Sequence, residues 1–362
     1  MIPVIFLVIT IIEVILLSSL IANHKERNRV ALILFAVQFF VFFAFRDSNV
    51  LADTHTYAYF FNRINDHVPF YHIKPHERLE SGYVIYQQFI HRYISSSFLV
   101  FNIINTAIVL TAIMLFLYRN SSRMTVSLFL LVATLQVYYQ FVAIRQGIAM
   151  SILLLSHPLL EKRKFLLYSL AVLMAYSFHF SALLMVLFIL FYKYPRQNKR
   201  IKYLAIGGAI VLFASLQAIL TFYYRGAADT VYLDKSIEKG FFSAVGIFNT
   251  ANALVLYVYS NYLKKHLQID KEEVRQESNT LSLVCLLNLI VAFLSIRMFV
   301  FNRFSIYLLP YIIAYISNLY GTGSKIQGKY NALTALYLVA SYIFYVLYRP
   351  EWIGLETYHF YG

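Results

Sequence analysis

Residues 165–192 read FLLYSLAVLMAYSFHFSALLMVLFILFY, and this run decides how the chain is built. It holds a single ionisable group, His179, near its middle. One straight helix of that length would extend about 42 Å, against a hydrocarbon core of about 30 Å. It would also put the basic cluster before it (Lys162, Arg163, Lys164) and the one after it (Lys193, Arg196, Lys199, Arg200, Lys202) on opposite faces of a bilayer. Basic loops belong on one face. Two short helices turning at His179 satisfy both constraints, each arm spanning about 20 Å. The run is therefore read as a helical hairpin whose tip, His179, lies at or just below the outer surface, in a recess.

The rest of the chain repeats the pattern of long apolar runs and short charged loops. Of 362 residues, 60% are hydrophobic and 13% charged, about half the usual charged share of a soluble domain. That composition excludes a soluble enzyme and a disordered chain. Twelve spans are expected, at 2–22, 30–45, 97–118, 125–143, 147–160, 165–178, 181–193, 203–222, 241–261, 281–299, 303–320 and 331–348. The fold class is all-α, a single polytopic membrane domain over 1–362 with one large outer loop at 46–96. Alternate loops, at 23–29, 119–124, 161–164, 193–202, 262–280 and 321–330, carry 19 of the 31 Lys and Arg. The net charge of +14 is thus mainly an orientation signal rather than a nucleic-acid footprint. It places both termini outside the cytoplasm. Within the large loop, the segment from Glu80 to Tyr93 is amphipathic and suited to the membrane surface.

On this topology the chemically capable residues converge on the outer face. Arg46, Asp47 and Asp53 follow the second span. Glu77, Arg78 and Glu80 lie in the large loop. Arg145 and Gln146 open the fifth span, His179 and Ser181 mark the hairpin tip, and Arg297 and Arg303 flank the junction of spans ten and eleven. Charge at membrane depth is expensive and usually functional. Arg145 also opens a helix, where the macrodipole is already positive, and the two together favour an anion, phosphate above all. The other reading of Arg145 is an interfacial side chain reaching for lipid headgroups. Arg303 supports a similar argument, and Arg297 reads as a boundary anchor. Arg46 is either an anchor or a partner of Asp47, and Asp53 either a site residue or the cap of a helix over 54–64. Glu80 and His179 are candidate bases or hydroxyl ligands. Glu13, inside the first span, serves helix packing or a lateral polar contact.

Several chemistries lack their motifs. Asp-x-Asp, His-Glu-x-x-His, a Walker loop and Gly-x-Gly-x-x-Gly do not occur. His55, His67, His72, His76 and His91 lack ligand spacing for zinc. The single Cys, Cys285, excludes an internal disulfide and reads as buried. No metal and no cofactor is expected.

Taken in order, Arg46, Asp53-Thr54, Tyr57, Glu80 with Gly82-Tyr83, Ile144-Arg145-Gln146-Gly147-Ile148-Ala149, Phe178-His179-Phe180-Ser181-Ala182, and Asn302-Arg303-Phe304 with Tyr307 form a pattern. It resembles the EpsG family of Wzy-type polysaccharide polymerases, within the broader GT-C-like membrane glycosyltransferases, over roughly 40–310. Leu51 departs from it, standing where the family usually has Gly. The resemblance implies a bacterial inner-membrane enzyme that transfers a growing glycan from undecaprenyl diphosphate to a hydroxyl of an incoming lipid-linked unit at the outer face. It implies Arg145, Arg303 and Arg46 as diphosphate ligands, with Gln146 and Tyr57 as further candidates; Arg297 is a further candidate from its position at the outer face alone. His179, Asp53 or Glu80 would be the base. Its partners would be the lipid-linked glycans, the bilayer, and a chain-length regulator and flippase of the same pathway, with no nucleic acid. O-antigen, capsule and exopolysaccharide stay open as products. Rival readings are a flippase or transporter of lipid-linked oligosaccharide, an O-antigen ligase and a membrane O-acyltransferase.

Overall fold

In the computed structural model every named element of the chain is a helix. The structure describes residues 2–50, 53–64, 79–193, 207–208, 210–211, 243–266, 272–298, 301–320, 325–348 and 359–360. The expected span at 203–222 and the candidates Glu77 and Arg78 lie outside them, apart from four residues of that span. Among the described residues three helices are long and apolar enough to cross a membrane: His24–Ala44, Phe98–Asn120 and Gly328–Tyr348. Shorter apolar helices accompany them. The chain is an all-α membrane protein, and helix length among the described residues does not confirm the expected twelve spans.

Close packing divides the chain into two units. The first comprises Met1–Tyr192, Ile313–Tyr320 and Ala335–Gly362. It opens with α1 (Ile2–Leu20) and α2 (His24–Ala44). The two run antiparallel, with the Phe6 ring 4.8 Å from Phe42 and 5.2 Å from Phe39. Between them the Gln38 amide donates to the Glu13 carboxylate, which gives the charge in the first span a partner on the next helix. α2 starts six residues before the expected span. Asn23 accepts the Lys25 N–H at 2.9 Å, and Lys25, Arg27 and Arg29 continue the helix outside the apolar run. Hydropathy marks the membrane, not the helix end, because charged side chains are good helix formers.

The large loop folds into α3 (Thr54–Phe61) and α4 (Ser81–Tyr93). α4 turns Tyr83, Val84, Gln87 and Ile90 inward, the spacing of an amphipathic helix. Then come α5 (Phe98–Asn120), α6 (Met124–Ala133), α7 (Gln136–Val142), α8 (Ile144–Leu155) and α9 (His157–Glu161). The expected span at 125–143 is broken in two. Thr134 Oγ1 donates back to the Leu130 carbonyl at 2.9 Å, and Leu135 takes a left-handed turn at φ 60°. The next span is shortened at Ser156, and Pro158 opens the short helix that follows. α3, α4, α5 and the start of α8 share one apolar core containing Tyr57, Phe61, Tyr83, Phe101, Ile144 and Ile148. This core fastens the loop helices to the membrane helices.

The deciding run folds as a hairpin. α10 (Phe165–Tyr176) ends before His179, a 3₁₀ segment covers Phe180–Val186, and α11 (Leu187–Lys193) completes the return. Tyr168 donates to the Met185 carbonyl across it at 3.5 Å. The tight first turn of the returning arm was not expected from the sequence. At the end of α2, Arg46 forms an antiparallel bridge with Phe360, the Asp47 N–H donates to the His359 carbonyl at 3.1 Å, and the two side chains meet at 3.3 Å.

The second unit comprises Lys193–Ile312 and Gly321–Thr334. Its α12 (Ala244–His266) and α13 (Glu272–Ser295) lie against each other, with Thr250 donating to the Ala292 carbonyl at 2.9 Å. Gly246 permits the contact: a Cβ there would stand 2.5 Å from Ile296 Cα. Cys285 is fully buried in α13. α14 (Asn302–Leu319) and α15 (Lys325–Tyr348) each have residues in both units.

Candidate functional site

Arg145 sits in the first turn of α8, and two neighbours hold its guanidinium. Its Nη1 donates to Glu80 Oε2 as an ion pair, and its Nε donates to the Tyr57 hydroxyl at 3.4 Å. The guanidinium carbon lies 5.9 Å from the centre of the Tyr57 ring. The pair is partly open to solvent, with side-chain exposures of 16% and 21%. Arg145 is therefore neither a lipid-facing anchor nor fully enclosed.

Glu80 reaches this position because α4 is docked on the hairpin tip. The Gly82 N–H donates to the Ser177 carbonyl at 2.9 Å. Any Cβ on Gly82 would fall 2.3 Å from Ser177 Oγ. With the two backbones in contact, Glu80 Oε1 accepts the Phe180 N–H at 3.3 Å. One carboxylate thus joins three segments that are far apart in sequence.

His179 is buried at the same tip. Its Nδ1 lies 2.5 Å from Ser181 Oγ and accepts the Ser181 N–H at 3.3 Å. With Nδ1 accepting, a neutral ring carries its proton on Nε2 and presents a donor. The Gln146 amide donates to Ser181 Oγ at 3.4 Å, which links α8 to the tip a second time.

The register of Arg145 depends on Gly147. A Cβ there would lie 2.3 Å from the Gln140 carbonyl oxygen, a backbone atom that cannot step aside. Gly147→Ala is expected to destabilise the protein by about 1–3 kcal/mol and to shift Arg145 away from Glu80. Lower thermal stability together with weaker activity would bear this out; unchanged values of both would refute it.

Asp53 stands at the N-cap position of α3, as the sequence suggests, but its side chain makes no cap bond. It lies one turn before Tyr57 on the same helix face. Arg46 is only 2% exposed. Its guanidinium donates to the Phe43 carbonyl and, at 2.9 Å, to the Phe141 carbonyl, tying the end of α2 to the end of α7. Asn102 reinforces this junction through the Phe43 and Ala44 carbonyls at 3.0 and 2.7 Å. Arg46→Ala would leave buried carbonyls short of donors, at about 1–3 kcal/mol. The expected result is less folded protein and a lower Tm; a normal Tm with lost substrate binding would instead make Arg46 a ligand.

The structure thus brings Tyr57, Glu80, Arg145, Gln146 and His179 together in the first unit. Arg297 and Arg303 belong to the second unit, Arg297 just past the end of α13 and Arg303 in the first turn of α14. No group of three potential metal ligands occurs among the described residues.

One member of the cluster is named in the sequence pattern but is not among the site candidates. Tyr83 is fully buried, its ring 5.8 Å from that of Tyr57, and its hydroxyl has no hydrogen-bond partner among the described residues. Burial first, then Tyr57, pushes its pKa well above the ordinary tyrosine value, against an opposing pull from Arg145. The signal was the three-residue spacing from Glu80, one helical turn.

A family model for the EpsG family matches residues 28–360. The chain belongs to the EpsG family. EpsG proteins are Wzy-like polysaccharide polymerases, so the geometry above belongs to a member of a polymerase family. No curated protein and no solved structure matches this EpsG chain.

Proposed function

We propose that this EpsG protein polymerises a bacterial surface polysaccharide, transferring the growing glycan from undecaprenyl diphosphate to a hydroxyl of an incoming lipid-linked repeat unit at the outer face of the inner membrane. The observation that carries the reading is Arg145, a partly accessible guanidinium beside a tyrosine hydroxyl and a carboxylate. A diphosphate leaving group needs fixed positive charge. Arginine stays ionised and binds phosphate in bidentate fashion. The acceptor hydroxyl needs a base, and Glu80 is the carboxylate nearest that charge. Because Nδ1 of His179 already accepts a hydrogen bond, His179 suits donation to a substrate oxygen better than proton removal. Asp53, one turn from Tyr57, fits an accessory role toward the sugar. Arg46 fits a brace for the end of α2 rather than a ligand. The role of Arg303 rests on its place in the sequence and on the resemblance, and that of Arg297 on its place in the sequence alone.

In the reaction, the acceptor oxygen forms a bond to the anomeric carbon of the donor glycan. The bond from that carbon to the diphosphate oxygen breaks, and the acceptor proton passes to the base. Undecaprenyl diphosphate leaves with the bond's electron pair. The bond to diphosphate supplies the driving force, so no nucleotide is needed. Lipid-linked glycans and the bilayer are the partners this requires; a flippase delivering the units and a chain-length regulator would complete the system.

The test is deletion of the gene in its host, with the surface glycan resolved on a gel. Single repeat units on the normal anchor, without a ladder, are expected. Complete loss of surface glycan with lipid-linked units accumulating at the cytoplasmic side would overturn the reading in favour of a flippase. Full-length polymer retained on undecaprenyl diphosphate would overturn it in favour of a ligase.

A further inference from the structure

The Glu80 carboxylate holds the kinds of donor that a phosphate group would use. One oxygen takes the Arg145 guanidinium, and the other accepts the main-chain N–H of Phe180. Guanidinium and backbone N–H groups are strong partners for anionic oxygen of either kind, carboxylate or phosphate. A diphosphate bound at Arg145 would bring a second anion against Glu80, and like charges at such range repel. The carboxylate then has to move.

A separate observation offers it a partner. The Tyr83 hydroxyl is fully buried, with no hydrogen-bond partner among the described residues. The Tyr83 ring lies 5.8 Å from that of Tyr57, whose hydroxyl accepts the Arg145 Nε–H. Glu80 stands at the N-cap position of α4 and Tyr83 follows three residues later, so the two share a face. Long side chains on a helix lean toward its N-terminus, which carries the hydroxyl back toward Glu80. A buried donor without an acceptor is an unfavourable state. It is explained if the acceptor arrives at another stage of the cycle.

We propose that Glu80 is an internal stand-in for the substrate's phosphate, displaced by the arriving diphosphate from Arg145 onto the Tyr83 hydroxyl. This rests on the reading of Arg145 as the diphosphate ligand. The empty site keeps its cation compensated and closed to other anions. Glu80 becomes free to meet an acceptor hydroxyl only after the donor is seated, so binding is ordered, donor first. Tyr83 is a positioning residue, acting through Glu80.

Equilibrium binding of radiolabelled farnesyl diphosphate to the full-length protein in detergent tests this. Glu80→Gln removes the competing charge and is expected to bind the probe about tenfold more tightly. Tyr83→Phe is expected to bind about threefold more weakly, with an unchanged or raised Tm because an unsatisfied hydroxyl is lost. In the Glu80→Gln background, Tyr83→Phe should change nothing, since the coupling runs through Glu80. Equal or weaker binding by Glu80→Gln, while binding still depends on Arg145, would overturn the stand-in alone. Absence of binding by folded wild type and Glu80→Gln, or wild-type binding by Arg145→Ala, would remove the Arg145 reading and this inference with it. If Glu80→Gln does not fold, Tyr83→Phe decides: unchanged affinity, or a lowered Tm, overturns the proposal.

Discussion

Arg145→Ala stops chain growth while the protein still reaches the membrane. The loss expected is about 10³-fold or more in turnover, the scale seen when one preorganised stabiliser of developing charge is removed. The substitution takes away the charge facing the leaving diphosphate and leaves Glu80 without its ion-pair partner. Glu80 keeps the Phe180 N–H and its exposure to solvent, so the fold should survive. Arg145→Lys restores charge but not the Nε donation to Tyr57 or the planar fork, and should recover only part of the activity. A glycan ladder from each variant, alongside immunoblots of membrane fractions, reads both. Wild-type chain lengths from Arg145→Ala would remove this residue from the site.

Glu80→Gln gives the second large effect. The amide has the same shape and its oxygen can still accept the Phe180 N–H, so docking of α4 on the tip is kept. What disappears is a group able to take a proton. Turnover should fall by about 10²–10⁴-fold, the usual worth of a positioned general base. His179→Gln should lose distinctly less, since the ring is read as a donor. Single-turnover rates with lipid-linked donor and acceptor separate the two. If the His179 variant is the more damaged, the roles of Glu80 and His179 exchange.

The hairpin was legible because length and charge pointed the same way: the apolar run is too long for one span, and both flanks are basic. The broken helix at Leu135 was not legible. Residues 125–143 contain neither Gly nor Pro, and the interruption coincides with the back-bonding of Thr134 to Leu130 and the left-handed turn at Leu135. Glu80 and Arg145 were each visible as candidates, but their pairing across 65 residues was not. Arg46 shows a different limit. An arginine at a span end looks the same in sequence whether it faces a ligand or a carbonyl. Tyr83 stands in the sequence pattern without a site role, because an aromatic on the inward face of an amphipathic helix reads as core, which its ring is.

The tie between Arg46–Asp47 and His359–Phe360 imposes a parity rule. Two backbone stretches joined by main-chain bonds lie on one side of a bilayer, so the chain between them crosses an even number of times. Ten crossings, the number the sequence predicts from 97–118 onward, would obey it. If α1 and α2 each cross, as the apolar runs at 2–22 and 30–45 predict, that pair of crossings would return the amino terminus to the same side. Reporters fused at either end and within the loop at 65–78 should therefore all report the same compartment.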